Sequence, residues 1–187
     1  TCVACIVQDD TAYWAHAGDS RLYFFRGSKL VMHTRDHSRL QQMLDNGSIS
    51  LKQAANYPER NKVYNCLGGL LPPEVEVSKK TPLRYGDTLL LCSDGLWNPL
   101  TDDEILAVIS GYPVIKAVQH LMIQAESRAG EHSDNLSAIG MTWSGEALEA
   151  PAPEVSTQTM PLNTFTTQMS GFDSEHDAPA VTDEEIE

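Results

Sequence analysis

Positive charge runs out early in this chain. All 13 lysines and arginines lie at or before Arg128, and the stretch after Trp143 carries ten acidic residues and no cation. Up to Trp143 the balance is only mildly acidic, 16 acids against 13 bases, within a formal charge of -13 for the whole. Neither part offers the basic surface that binding nucleic acid requires. No apolar run approaches the roughly 20 residues of a membrane-spanning helix, and the opening residues do not read as a signal peptide. A glycine-rich phosphate loop and a Gly-x-Ser-x-Gly elbow are both missing. The chain starts at Thr1 inside a strand-like pattern, so upstream sequence is expected to be missing. Only four cysteines occur, at 2, 5, 66 and 92. Cys2 and Cys5 have CxxC spacing but sit in a strand pattern, where residues three apart face opposite ways. They are expected to be buried reduced thiols in a reducing, cytoplasmic setting.

What is present is a chain of 187 residues, 41% apolar, enough for one packed domain. Cys2 to Gln8, Thr11 to Ala17, Arg21 to Arg26 and Lys29 to His33 read as four strands of an antiparallel meander. A helix is expected from Ser38 to Asp45, ended by Asn46-Gly47, and a short one from Ser50 through Asn56. Lys62 to Leu67, Val75 to Lys79, Thr88 to Ser93 and Leu136 to Trp143 are strand-like. Thr101 caps a helix from Asp102 to Ile109, with Glu104 completing a capping box. Pro113 opens a longer helix to Arg128. Strands, then a helical pair, then both again suit an α+β fold with antiparallel sheets. After Trp143 the composition turns to Thr, Ser, Pro and acids without periodicity. Residues 1-143 are read as domain and 144-187 as an acidic disordered tail or linker, whose role is solvation or docking.

Two acidic motifs flank stretches that read as buried strands. Ser93-Asp94-Gly95 follows Thr88-Leu89-Leu90-Leu91-Cys92, and Ser133-Asp134-Asn135 precedes Leu136-Ser137-Ala138-Ile139. A carboxylate there costs free energy unless something positive meets it. Hard divalent cations favour such oxygens. Alone, Asp94 fits a metal ligand or a turn residue equally well, and Asp134 fits a turn better. Asp19, in Ala17-Gly18-Asp19-Ser20-Arg21, reads as an Asx-type turn. Asp36 and His37 read as a cap where the first helix begins. The six histidines share no metal-ligand spacing, so a His/Cys zinc site is not expected.

In this order, Thr1-Cys2-Val3-Ala4-Cys5, Ala17-Gly18-Asp19-Ser20-Arg21, Thr34-Arg35-Asp36-His37-Ser38, Asn65-Cys66-Leu67-Gly68, Leu90 to Trp97 and Ser133-Asp134-Asn135-Leu136 resemble the bacterial branch of the PPM-type (type 2C) Ser/Thr protein phosphatases. The match runs from Thr1 to about Trp143. The resemblance implies a four-layer α-β-β-α sandwich of two antiparallel sheets flanked by helices. It implies a centre of two Mn²⁺ or Mg²⁺ ions, with a weak third. Asp94 and Asp134 match two aspartate ligands of that centre, and Asp19 matches a residue linked to the third ion. The implied reaction is hydrolysis of phosphoserine and phosphothreonine by a water activated between the two ions, with no covalent intermediate. The implied partners are phosphorylated proteins, including substrates of a Ser/Thr kinase, with no nucleic acid and no membrane. A monomer in the cytoplasm is expected.

Three departures bear on this. The family's upstream half, which supplies an Asp-Gly-His motif and a phosphate-holding arginine, is absent, so the isolated chain is expected to be nearly inactive. Asn98 stands where the family often has a third-ion aspartate, and a neutral amide holds a hard cation more weakly. Asn65-Cys66-Leu67-Gly68-Gly69 replaces a usual Arg-Ala-Leu-Gly-Asp. A catalytically impaired module that binds a signalling partner is the alternative reading.

Overall fold

The computed structural model describes residues 1–54, 57, 62–69, 72–130 and 134–145. The predicted tail falls outside them from residue 146 on. Among the described residues, eight strands form two antiparallel sheets. The first sheet joins β1 (Cys2–Gln8), β2 (Thr11–Ala17) and β5 (Glu76–Val77), with β6 (Thr81–Pro82) also paired to β2. The second has the order β4 (Lys29–His33), β3 (Arg21–Arg26), β7 (Thr88–Cys92), β8 (Ala138–Thr142). The architecture is α+β, as expected.

The four N-terminal strands are not one meander. They are two hairpins placed in different sheets, because the chain crosses between sheets at Gly18–Ser20. Gly18 has φ +109°, a conformation that other residues rarely adopt. That crossover leaves Asp19 at one end of the sandwich.

β3 and β7 are buried on both faces, which explains their unbroken apolar runs. Leu22, Phe24 and Leu89 point between the sheets, against Ala12 and Leu83. Tyr23, Phe25, Leu90 and Cys92 point the other way, onto Ile105, Val108, Ala117, Leu121 and Ala125. The last five belong to α4 (Asp102–Gly111) and α5 (Val114–Ala129). Alternation along β7 thus serves two cores at once. Truncating fully buried Leu89 to alanine would cost about 2–5 kcal/mol. Gly140 lets α5 lie on β8, since a Cβ there would come within 2.7 Å of Val114 and Val118.

Helix ends follow the sequence closely. Ser38 caps α1 (Arg39–Asp45), accepting from the Gln41 N–H at 3.2 Å. Thr101 and Glu104 form the expected capping box of α4. The second short helix, α2, spans Leu51–Ala54; the rest of its expected length, Ala55 and Asn56, lies outside the described residues. A four-residue turn of helix, α3 (Asp94–Trp97), follows β7.

Some expectations fail. Lys62 to Leu67 is no strand among the described residues: only Val63 bridges, to Ser38. The expected strand from Val75 to Lys79 shrinks to two residues, while Thr81–Pro82 forms an unexpected short one on the edge of β2. Cys2 is exposed rather than buried, because it lies on the outer face of β1, where alternate residues face outward. Cys92 is the buried thiol, and burial pushes its pKa up to about 12, away from reactivity.

Candidate metal centre

β7 ends at Cys92, and the chain turns at once into α3, so Asp94 stands at the end of the second sheet. β8 begins just after Asp134 and pairs with β7 from Thr88↔Thr142 to Cys92↔Ala138. The pairing continues past the sheet. The Ser93 N–H donates to Ser137 O at 3.0 Å, the Ser93 hydroxyl donates to Asn135 O at 2.8 Å, and the Ser137 N–H donates to Ser93 Oγ at 3.0 Å. Gly95 completes the approach. A Cβ there would stand 2.7 Å from Asn135 O and 3.3 Å from Asp134 O. The glycine of Ser-Asp-Gly therefore brings the two aspartate loops into backbone contact.

The two carboxylates interact. Burial lifts the Asp94 carboxyl above its ordinary value, and the charge of Asp134 lifts it further. Asp19, 6% exposed, is raised in the same way, first by burial, then by the charges of Asp94 and Asp36. Asp94 thus feels the charge of both Asp134 and Asp19 at this end of the sandwich, although the oxygens of the three acids do not all fall within 4.8 Å of one another. The neighbouring cation is already engaged: Arg21 donates to both oxygens of Asp36, 2.7 Å each, and to Tyr23 Oη at 2.9 Å. Burial alone would weaken the Arg21 charge, but the bonds to Asp36 hold its pKa above the usual value. Asp36 is therefore an ion-pair partner and not the expected helix cap, a role that falls to Ser38.

Asn98 lies one turn beyond Asp94, its N–H donating to Asp94 O at 2.9 Å. With Trp97, Leu40, Leu44 and Thr101 it lines a cavity of about 350 Å³ that Arg21 and Asp36 also line, and Asp19, Asp94 and Asp134 do not. Asn65 is buried and fixed by Glu74: its Nδ2 donates to Glu74 O at 2.6 Å, and the Glu74 N–H donates to Asn65 Oδ1 at 3.0 Å.

The fold also gathers a histidine group that spacing in the sequence did not reveal. His16 Nε2 and His37 Nε2 lie 3.8 and 3.5 Å from Glu76 Oε2. All three ligand atoms fall within 4.8 Å of one another, close enough to surround an ion. The surrounding bonds assign the protons otherwise. His37 Nδ1 accepts from the Gly18 N–H at 3.3 Å and from Asn65 Nδ2, whose orientation Glu74 fixes. The neutral ring then carries its proton on Nε2, facing Glu76. His16 Nε2 donates to Arg35 O at 2.8 Å, leaving Nδ1 buried without a partner. Both ring nitrogens nearest Glu76 therefore hold protons, and a carboxylate suits them better than a cation. No sequence signal pointed to this group, because its members come from β2, the segment after β4, and β5.

Comparison with known proteins agrees with this architecture. No protein-family model matches the chain. The serine/threonine phosphatase Stp of Listeria monocytogenes is 34% identical over 141 residues, covering 74% of this chain and 54% of that protein. This chain is a homologue of the PPM-type serine/threonine phosphatases. Among solved structures, the Streptococcus agalactiae serine/threonine phosphatase superposes with a TM-score of 0.67 at 27% identity, covering 74% of this chain and 57% of that one. The catalytic domain of the serine/threonine protein phosphatase PstP, solved with two manganese ions, superposes at 0.59 with 27% identity, over 74% and 56% of the two chains. The chain spans about half the length of the curated Stp and PhpP relatives it matches.

Proposed function

We propose that this chain carries part of the divalent-metal centre of a protein serine/threonine phosphatase, with Asp94 and Asp134 as ligands and Asp19 lining the site. The observation that carries the reading is the Gly95 contact, which brings the Asp94 and Asp134 loops together with no lysine or arginine bound to Asp94 among the described residues. A carboxylate whose pKa a neighbouring carboxylate raises suits a hard cation such as Mn²⁺ or Mg²⁺. The donor set fits: oxygen ligands only, with Asp94 half-buried and Asp134 exposed, at the end of a strand pair. When bound, such ions neutralise charge on phosphoryl oxygens and lower the pKa of water. This chain's own part is to hold the acids at that spacing and to keep Arg21 on Asp36, away from them. Asn98 makes a third ion weaker than an aspartate there would.

The proposed substrates are phosphoserine and phosphothreonine in proteins, and the proposed setting is cytoplasmic signalling. The 187-residue chain alone is expected to bind Mn²⁺ but to hydrolyse phosphopeptide very slowly. Titration calorimetry with MnCl₂ tests the centre. Wild-type binding that disappears in Asp94→Asn supports it. Equal binding by both proteins would remove Asp94 from the ligand set. Joining the chain to the upstream half of a PPM relative should restore Mn²⁺-dependent hydrolysis. Binding of a phosphopeptide without turnover in that joined protein would instead favour the impaired binding module.

A further inference from the structure

The loop carrying Asp19 and the helix carrying Asp94 are tied to each other by one side chain. Trp97 closes α3, three residues after Asp94. Its indole N–H donates to the backbone carbonyl of Asp19 at 2.9 Å. Its ring lies under the Arg21 guanidinium, 3.5 Å from carbon to ring centre. Arg21 cannot swing away, since Asp36 grips it with two bonds of 2.7 Å. The other side of the turn is held by His37, whose N–H donates to Gly18 O at 2.9 Å while its Nδ1 accepts the Gly18 N–H. Asp19 thus sits in a short segment clamped between α3 and the 36–37 segment.

From this geometry we infer that Trp97 is a positioning residue, setting the distance between Asp19 and Asp94 through its bond to the Asp19 carbonyl. The inference rests on the reading of these acids as one cation site. Like charges left on two separate loops drift apart unless something mechanical opposes them. The indole bond supplies that restraint from outside the carboxylates, so it leaves their oxygens open. The Arg21 stack fixes the plane of the ring, and an arginine over a tryptophan face is attractive in its own right. Neither contact uses a carboxylate oxygen of Asp19 or Asp94. Trp97 therefore acts through Asp19 and is not a catalytic residue.

The test uses the 187-residue chain and the variant Trp97→Phe, which keeps an aromatic ring at this position while deleting the N–H and the second ring of the indole. Trp143→Phe, in the core between the sheets, controls for loss of a tryptophan. Two readouts are taken: amide hydrogen exchange without metal, and Mn²⁺ affinity by calorimetry. Trp97→Phe should speed exchange at residues 18–21 while β7 and α5 stay protected. It should weaken Mn²⁺ about three- to tenfold, the worth of one hydrogen bond. Trp143→Phe should change neither. Unchanged exchange in the turn, or uniformly faster exchange with unchanged Mn²⁺ affinity, overturns the inference. Local loosening in a chain whose wild type binds no Mn²⁺ upholds the tie and sinks the proposed metal centre instead, so the two failures are told apart.

Discussion

Strand β7 carries an aspartate at each end, and the two live in opposite circumstances. Asp87, just before the strand, is 1% exposed and fully matched. Arg26 donates to both its oxygens, at 2.9 and 2.7 Å, and the Arg84 N–H adds a third bond at 2.7 Å. Burial pushes its carboxyl up, but the Arg26 and Arg84 bonds outweigh this and bring it below the ordinary value. Asp94, just after the strand, is half-buried and faces another carboxylate, so its carboxyl is raised. One strand therefore ends in a satisfied charge and a frustrated one. A charge neutralised by the fold stabilises it. A charge left against its own kind weakens the empty fold and leaves room for a cation.

The comparison breaks most sharply at Asp87. Asp87→Ala strips Arg26 and the Arg84 amide of their partner inside the sheet. The loss should be about 2–3 kcal/mol, below the cost of breaking a fully buried pair because Arg26 is a third exposed. Urea unfolding reads it as a lower midpoint with the same slope. A change under about 0.5 kcal/mol would show that the pair is ornamental.

Gly95→Ala comes next. The new methyl group would meet the Asn135 carbonyl at 2.7 Å, and backbone cannot rotate away as a side chain could. The expected cost is about 1–3 kcal/mol. Mn²⁺ binding should weaken too, because relief of the clash moves Asp134 away from Asp94. An alanine variant as stable and as avid as wild type would mean that the two loops are not held together by this contact.

Asp94→Asn should be nearly silent in stability, within about 1 kcal/mol and on the side of gain, since it removes a repulsion. Calorimetry should nevertheless show Mn²⁺ binding lost. If Asp94→Asn instead destabilises as much as Asp87→Ala, Asp94 is a structural acid and the contrast between the two ends disappears.

How much of this contrast could be read in the sequence depends on range. Local signals carried well. Thr101 and Glu104 marked the start of α4, Ser-Asp-Gly marked the end of β7, and the run from Leu89 to Cys92 marked a strand buried on both faces. Pairings across distance did not carry. Nothing in the sequence joined Arg26 to Asp87, Arg21 to Asp36, or His16 to His37 and Glu76, because each group forms only once segments distant in the chain pair or pack. The same limit explains the false meander. Four alternating strands in a row look alike whether they share one sheet or divide between two, and the deciding feature is a single left-handed glycine at 18. Asp36 was misread for a related reason. Its place before a helix suggested a cap, and its partner lay 15 residues back.

The smallest effect is also the most specific, because the two ends of β7 should respond to acid with opposite signs. Asp87 has a folded value below its ordinary 3.8. Its stabilisation is present above 3.8 and fades as pH falls towards the folded value, since the unfolded chain takes up the proton first. Asp94 has a folded value above 3.8. As pH falls through that value the folded chain takes up the proton first, so acid stabilises it until 3.8 is reached. In the metal-free chain, the difference in unfolding free energy between wild type and Asp94→Asn should shrink as pH falls from 7 to about 4. The difference between wild type and Asp87→Ala should hold over that range and shrink only below it. Chemical denaturation at a series of pH values in chelator resolves the two. Parallel curves for both variants would show that the carboxylates at the two ends feel the same surroundings.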